Sequence, residues 1–214
     1  MKRRHCTVAL LGAAAGACLP LRAHATARGS APVILVVGDS LSAEYGLARG
    51  SGWVALLEQR LQRQRPGARV VNASVSGDTT AGGRSRLPAL LQRHRPDIVI
   101  LELGGNDALR GLPLQATRDN LRAMIKASQN AGARVLLLGM DMPPNYGERY
   151  RAEFRALYTD LAREEKTALV PFFLSGVADR PDAWQYFQDD RIHPNERAQP
   201  RMRDNVWAVL QRLL

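Results

Sequence analysis

The feature that most restricts the fold is a regular alternation between short apolar runs and longer segments with helical periodicity. Residues 33–37 form an unbroken run of Val, Ile and Leu, and similar runs follow at residues 69–71, 98–101, 135–138 and 169–172. A strand that is apolar at every position is typical of a parallel sheet covered on both faces. The sequence therefore predicts five buried parallel strands.

The segments between these runs have apolar residues three and four positions apart, which places an apolar stripe on one face of a helix. Strands that alternate strictly with helices require right-handed crossovers, and these put helices on both faces of the sheet. The predicted fold class is thus a three-layer α/β/α arrangement with a five-stranded parallel sheet. The stripes that define the helices are Trp53, Leu56, Leu57 and Leu61; Leu87, Leu90 and Leu91; Leu121, Met124 and Ile125; Phe154, Leu157, Tyr158 and Leu161; and Val206, Val209, Leu210 and Leu213.

The first 25 residues have the pattern of a secretory signal peptide. Lys2, Arg3 and Arg4 give a positive start, residues 7–21 are mostly apolar, and Ala23-His24-Ala25 is a small-x-small cleavage site. The apolar run is too short to span a membrane as a stable helix. We expect cleavage after Ala25, which leaves residues 26–214 as one domain in the periplasm or outside the cell. Lipoprotein anchoring through Cys18 is a less favoured alternative.

Removal of the predicted signal peptide changes the cysteine content and the net charge of the mature domain. It takes away Cys6 and Cys18, the two cysteines of the chain, so the mature domain has no disulfide and no thiolate nucleophile. It also takes away four of the 30 basic residues and none of the 20 acidic ones, which lowers the net charge from +10 to +6. The remaining arginines are scattered, and aromatic residues make up 6% of the chain, so a nucleic-acid partner is not expected.

Ligands of such folds bind outside the carboxyl ends of the strands, and polar residues follow several of the predicted strands. The first strand ends in Gly38-Asp39-Ser40-Leu41-Ser42, which places the Ser40 hydroxyl at the edge of the sheet, where it could act as a nucleophile. Ser40 is preferred to Ser42 because it ends the strand. The alternative interpretation is that Asp39 and Ser40 only cap a turn.

His193 is the candidate general base. Without the leader, His94 and His193 are the two remaining histidines, and His94 lies at a predicted helix end, where a solvated residue is expected. Asp190 precedes His193 by three residues, and Pro194 keeps His193 out of a helical conformation. Such a turn can bring the Asp190 carboxylate to one ring nitrogen and leave the other nitrogen for a serine. The alternative is an Asp/His pair that caps the last helix.

Three groups could stabilise an oxyanion at the same edge. They are the backbone N–H of Ser40, the backbone N–H of Gly77 and the side-chain amide of Asn106, each of which follows a different strand. Turn roles for Gly77 and Asn106 are the alternative. The occurrence of all three groups together with a serine and an Asp-x-x-His block favours acyl transfer.

The blocks around Ser40, Gly77, Asn106 and His193 resemble the SGNH (GDSL) hydrolase superfamily, over nearly the whole mature chain. The resemblance implies a flavodoxin-like sheet, Ser40 as nucleophile, His193 as base, Asp190 as its orienting acid, and an oxyanion hole of Ser40, Gly77 and Asn106. It also implies that no metal or organic cofactor is needed. The blocks are most similar to those of bacterial periplasmic enzymes that hydrolyse acyl-CoA thioesters, lysophospholipids and aryl esters.

The resemblance further implies a flexible loop at residues 108–113 that shapes an acyl pocket. We expect that substrate contacts in and near this region come from Leu109, Leu112, Pro143 and Tyr146, whereas ordinary packing is the favoured interpretation for Trp184 and Phe187. Two positions depart from the pattern of the superfamily. Arg191 stands where glycine is common, and Asp141 stands where fewer charges are expected.

The predicted function is a secreted serine esterase that hydrolyses carboxylic esters and thioesters through an acyl-enzyme on Ser40. Its expected partner is a small acyl ester or thioester, with transient contact with membrane lipids and a monomeric state. A carbohydrate O-acetylesterase of the same superfamily is the first alternative. A non-catalytic envelope-binding protein is the second, and the presence of Ser40, Asp190 and His193 argues against it.

Overall fold

A computed structural model describes residues 31–214, so the predicted signal peptide at residues 1–25 and the alternative anchor Cys18 lie outside the described residues. Five parallel strands form one sheet with the order β2-β1-β3-β4-β5. This arrangement confirms the predicted fold class. The strands are β1 (Val33–Gly38), β2 (Arg69–Asn72), β3 (Ile98–Glu102), β4 (Arg134–Leu138) and β5 (Ala168–Val170).

Helices follow every strand and cover both faces of the sheet. On one face α1 packs against α6, and on the other α2 packs against α4, which also contacts α5. Two short 3₁₀ turns, Pro144–Tyr146 and Ala183–Tyr186, lie in the loops. The helices are α1 (Trp53–Gln64), α2 (Thr80–His94), α3 (Gly105–Leu109), α4 (Leu114–Asn130), α5 (Glu148–Glu164) and α6 (Gln199–Leu210).

The core is built from the residues that define the predicted pattern. Ile34 to Val37 of β1 and Ile98 to Leu101 of β3 are fully buried, because both strands are central and have helices on each side. Helix stripes complete the core, and Trp53, Phe154 and Tyr158 are its largest fully buried side chains. Among residues 31–214, no helix is both long enough and apolar enough to cross a bilayer.

The first four predicted strands are each one residue shorter than the observed strands, and the last strand was predicted incorrectly at both ends. The last strand covers Ala168–Val170 rather than residues 169–172. Pro171 follows it directly and has no N–H to donate to a neighbouring strand, so regular pairing ends there. The chain then turns, and Phe173 donates a backbone hydrogen bond to Gly139 O at 2.8 Å.

The strand order determines where a ligand can bind. From β1 the chain moves to β2 on one side and then to β3 on the other, so the connections after β1 and β3 diverge and leave a crevice at the carboxyl edge. In the register of these two strands Gly38 is opposite Glu102. The residues that follow, Ser40 after β1 and Asn106 after β3, are therefore brought to the same crevice.

Candidate active site

Ser40, His193 and Asp190 lie together at this crevice. His193 Nε2 is 2.9 Å from Ser40 Oγ, and His193 Nδ1 is 2.6 Å from Asp190 Oδ2. Ser40 and His193 are 153 residues apart in the sequence, so the contact depends on the whole fold. Each ring nitrogen of the imidazole thus has a different oxygen partner, which is the arrangement that proton transfer from the serine requires.

The turn around Asp190 explains how the imidazole is held. Asp190 Oδ1 accepts backbone N–H groups from Ile192 at 2.9 Å and from His193 at 3.0 Å, while Oδ2 contacts the ring. Partial burial raises the pKa of Asp190, but the hydrogen bonds from His193 and Ile192 outweigh it and lower the pKa to about 2. The carboxylate is therefore ionised at neutral pH and can orient the ring.

An aromatic ring covers the other side of the imidazole. The ring of Tyr45, in the loop after β1, lies with its centroid 4.4 Å from that of His193 and tilted by 40°. The loop of Tyr45 is tied to the turn that carries His193 by Gln188, whose side-chain amide donates to Tyr45 O at 2.8 Å. Sequence reasoning missed Tyr45, because nothing local indicates that this loop meets residues 188–193.

Asn106 lines the same pocket as Ser40, but its amide is already hydrogen-bonded. Its Nδ2 donates to Asp39 Oδ2 and to the carbonyl oxygen of Asp78, both at 3.0 Å. Asp39 Oδ1 accepts from the Leu41 backbone N–H at 3.0 Å, so the same carboxyl fixes the turn that carries Ser40. Asp39 therefore positions both the turn that carries Ser40 and the candidate oxyanion donor.

Gly77 contributes a backbone with a positive φ of 77° in the loop after β2. A residue with a side chain is strained in this conformation, which explains glycine at this position. Arg110, from the loop after α3, donates through Nη2 to Gly77 O at 2.8 Å. The loop predicted to shape the acyl pocket is thus tied to the loop that carries a candidate oxyanion donor.

A buried carboxyl group that the sequence analysis did not assign lies behind Asp39. Glu102 ends β3 and is 1% exposed, and its Oε2 accepts from Ser42 Oγ at 2.8 Å and from the Asp39 backbone N–H at 3.2 Å. A Cβ at Gly38 would lie 2.7 Å from Glu102 Oε2, so the glycine before Asp39 is what leaves room for this carboxyl. The signal that could have found Glu102 is an acid within the otherwise apolar segment 98–103.

The environment of these two carboxyls disfavours a second negative charge. Burial raises the pKa of Asp39 to about 6, although hydrogen bonds from Leu41, Glu102 and Asn106 and the charge of His193 oppose the rise. Burial, and then the charge of Asp39, raise the pKa of Glu102. Of the two carboxyls Asp39 is the one whose charge is supported by hydrogen bonds from both Leu41 and Asn106, so it is the better placed to carry the single negative charge.

A pocket of about 610 Å³ opens beside Ser40 and His193. Of the four residues predicted to contact substrate, Leu109 and Pro143 line this pocket, whereas Leu112 and Tyr146 do not. Tyr146 instead stacks on Tyr150 with ring centroids 6.4 Å apart. The rest of the wall is mainly apolar and includes Leu41, Met140, Met142, Phe172, Leu174, Trp184, Phe187 and Ile192.

Both residues that depart from the superfamily pattern reach this pocket. Asp141 lines the wall, but its charge is neutralised by Arg151 at 2.7 Å and Arg155 at 2.9 Å. Arg191 lines the mouth of the pocket and has a positive φ of 57°.

Trp184 is also in the wall and is 72% exposed, so ordinary packing was the wrong interpretation for it.

The backbone of Arg191 leads to a stability prediction. A non-glycine residue in the left-handed region is strained, and glycine removes the strain at some cost in unfolded-state entropy. We expect Arg191→Gly to have a free energy of unfolding about 0.5–1 kcal/mol higher than Arg191→Ala, which lacks the same side chain but keeps the strain. Urea denaturation of the two variants measures the difference.

Arg197 provides the matched control for this pair. It is exposed in the same region, and it is absent from the residues with positive φ among 31–214. Arg197→Gly should therefore be less stable than Arg197→Ala, the reverse of the order at Arg191. The same order at both positions would contradict the strain assigned to Arg191.

The fold and the site define the class of the protein, a hydrolase with a serine, a histidine and an aspartate at the carboxyl edge of a parallel α/β sheet. The chain belongs to the GDSL-like lipase/acylhydrolase family, whose model matches residues 36–199. The resemblance inferred from the sequence motifs is thereby confirmed.

Named relatives agree with this assignment. The chain is 51% identical to Esterase TesA of Pseudomonas aeruginosa over 189 residues, which are 88% of this chain and 92% of the relative. It is 45% identical to thioesterase 1/protease 1/lysophospholipase L1 of Escherichia coli K12 over 185 residues, 86% of each chain.

A solved structure shares the architecture. The psychrotrophic esterase EstA from Pseudoalteromonas superposes with a TM-score of 0.79 at 39% identity, covering 85% of this chain and 97% of that one. That crystal structure is of EstA inhibited by monoethylphosphonate. Family and relatives together confirm the predicted enzyme class, a hydrolase of ester and thioester bonds.

Proposed function

We propose that this protein is an exported serine esterase and thioesterase that works as a monomer on small acyl esters and thioesters through an acyl-enzyme on Ser40. The observation that carries the proposal is the imidazole of His193, which lies 2.9 Å from Ser40 Oγ and 2.6 Å from Asp190 Oδ2. Export is supported by the signal-peptide pattern of residues 1–25.

The first half of the reaction uses the groups in their observed places. His193 Nε2 takes the Ser40 proton as Oγ attacks the carbonyl carbon, and the ionised Asp190 stabilises the imidazolium that forms. The tetrahedral intermediate collapses as the alcohol or thiol leaves with the proton from His193. The acyl group then remains bonded to Ser40 Oγ.

Water completes the cycle. His193 removes a proton from water, the resulting hydroxide attacks the acyl-enzyme, and the proton returns to Ser40 as the carboxylic acid is released. In both halves the oxyanion receives hydrogen bonds from the backbone N–H groups of Ser40 and Gly77 and from Asn106 Nδ2. Because that amide already has two acceptors, Asn106 gives up one of them, Asp39 or the Asp78 carbonyl, when it binds the oxyanion.

The pocket supports an acyl chain longer than acetyl. Its volume of about 610 Å³ and its apolar wall suit a fatty acyl or aryl group, and Leu109 and Pro143 are the predicted substrate contacts that line it. Thioesterase 1/protease 1/lysophospholipase L1 of Escherichia coli is named for thioesters and lysophospholipids, which fits such a pocket.

A substrate panel with a covalent label tests the proposal. We expect kcat/KM to be higher for p-nitrophenyl octanoate and decanoate than for the acetate, with turnover of acyl-CoA and lysophospholipid. An ethyl phosphonate ester should add one phosphonyl group to Ser40, located by peptide mass spectrometry, and unfolded protein is the control. A strict preference for acetyl would instead support the carbohydrate O-acetylesterase, and label on another residue would contradict the assigned nucleophile.

A further inference from the structure

The exposed apolar side chains of this protein have an unusually uneven distribution. Among residues 31–214, six large hydrophobic residues are at least 39% exposed, and all six lie in segments that follow the carboxyl ends of strands. The six, which we call the apolar collar, are Tyr45, Val75, Leu109, Leu112, Trp184 and Ile192. The long helices and the loops at the amino edge of the sheet contribute none of them in the described part of the chain.

Four of the six collar residues adjoin the acyl pocket. Leu109, Trp184 and Ile192 line the pocket that contains Ser40, and the ring of Tyr45 rests against His193 with centroids 4.4 Å apart. Trp184 is the most exposed of the six, at 72%. Single exposed apolar residues are ordinary, but a group gathered around the entrance of a site marks an interaction surface.

We propose that the apolar collar inserts into the surface of zwitterionic phospholipid assemblies and places the pocket mouth against the lipid. This inference rests on the proposed function, since long-chain acyl esters reside at such surfaces. The collar residues stand on four separate loops, so they can enter a fluid interface individually, and tryptophan and tyrosine favour the boundary between head groups and acyl chains. A protein fixed over the collar would close the entrance to Ser40.

The charges around the collar match a zwitterionic surface. In the strand-end segments that carry the collar, Arg49, Arg110, Arg191 and Arg197 have no carboxylate partner within residues 31–214. In the same segments Glu44, Asp179, Asp189 and Glu196, which are not buried, have no cationic partner, so the two signs balance there. Insertion is therefore driven by apolar contact rather than by attraction to anionic lipid.

The test measures binding without hydrolysis. Ser40→Ala protein, recovered after export so that residues 1–25 are absent, is mixed with phosphatidylcholine vesicles and sedimented. Trp184 reports directly, because Trp53 is fully buried and Trp207 is 8% exposed, so a blue shift of emission on binding comes from Trp184. In the Ser40→Ala background, Trp184→Glu should lower the partition coefficient about tenfold or more, because the variant loses the one large side chain that would be buried in the lipid on binding.

Two controls separate insertion from other effects. Trp184→Phe keeps an apolar ring, so it should retain binding and lose the spectral shift. Ala131→Glu adds the same charge as Trp184→Glu at an exposed position before β4, at the opposite edge of the sheet, and should bind like the parent.

Several results would overturn the inference. The first is equal vesicle binding by Trp184→Glu and its parent, and the second is an unchanged tryptophan emission of the parent at saturating lipid. The third is binding only to phosphatidylglycerol vesicles, with salt abolishing that binding. Dimers that Trp184→Glu dissociates, without vesicle binding, would assign the collar to a second copy of the chain. Hydrolysis of soluble p-nitrophenyl esters is assayed separately from vesicle binding. A lack of vesicle binding would therefore not contradict the proposed hydrolysis, and a lack of hydrolysis would not affect the interpretation of the binding measurement.

Discussion

Replacing Ser40 by alanine is expected to lower kcat by about 10⁴- to 10⁶-fold, with little change in the folded structure. Ser40 Oγ is the atom next to His193 Nε2, and its removal leaves no hydroxyl or thiol among the described residues that line the pocket. The variant and the parent are compared with p-nitrophenyl octanoate under single-turnover and steady-state conditions, and circular dichroism verifies folding.

Ser42→Ala is the matched control for Ser40→Ala. Ser42 is two residues away, is 1% exposed, and donates to Glu102 at 2.8 Å rather than to an imidazole. Its loss should reduce stability through the buried hydrogen bond, by about 1–3 kcal/mol, while kcat stays within the same order of magnitude. A large loss of kcat in Ser42→Ala together with an active Ser40→Ala would reverse the assignment of the nucleophile.

The same kinetic measurements on His193 variants test whether Ser40 and His193 depend on each other in catalysis. His193→Ala alone should cost nearly as much as Ser40→Ala, and the double variant should lose little more than either single variant, because each depends on the other for proton transfer. A loss of less than tenfold in His193→Ala would show that another group removes the serine proton, since general-base catalysis contributes about a hundredfold or more.

The second large effect is expected at Asn106. Replacing it by alanine should lower kcat by about 10²- to 10³-fold and leave KM nearly unchanged, because its amide binds the oxyanion in the transition state and not the ground-state carbonyl. Steady-state kinetics on one ester and one thioester measures both constants, and both substrates should lose the same factor because the oxyanion is common to them.

Asn120→Ala controls for simple loosening of the site. Asn120 Nδ2 donates to Thr80 Oγ1 at 3.1 Å at the start of α2, so its removal also takes away an amide that holds the connection after β2. That variant should retain kcat. If Asn106 only ties Asp39 to the Asp78 carbonyl, Asn106→Ala would instead lower thermal stability with a modest kinetic effect, similar to Asn120→Ala, and the oxyanion role would be wrong.

The comparison of Asp190 with Glu102 illustrates which site residues the sequence could reveal. Asp190 and His193 are three residues apart, and their contact is made within one turn, so spacing and residue type were sufficient. Glu102 contacts Ser42 and Asp39 across 60 and 63 positions of the sequence. An acid at a strand end is ambiguous until the register of β1 and β3 places it opposite Gly38.

Tyr45, Trp184 and the amide of Asn106 required the structure for the same reason. The ring of Tyr45 meets His193 because two loops far apart in the sequence converge, and Trp184 is exposed because the 3₁₀ turn Ala183–Tyr186 lies at the pocket mouth. The two acceptors of the Asn106 amide come from different strand ends, so no local pattern indicates that both are satisfied.

By itself the sequence determined the order of the five strands and the five long helices along the chain, the fold class, and the loops in which the polar chemistry is concentrated, whereas the short helix α3 was not predicted. These properties follow from periodicity and from the conformational preferences of neighbouring residues, which act over a few positions. Tertiary structure alone decided that Glu102 is buried behind Asp39, that Leu112 and Tyr146 lie outside the pocket wall, and that the exposed apolar residues gather at one edge. Those outcomes depend on strand register and on how separate loops converge, and short-range patterns do not encode either.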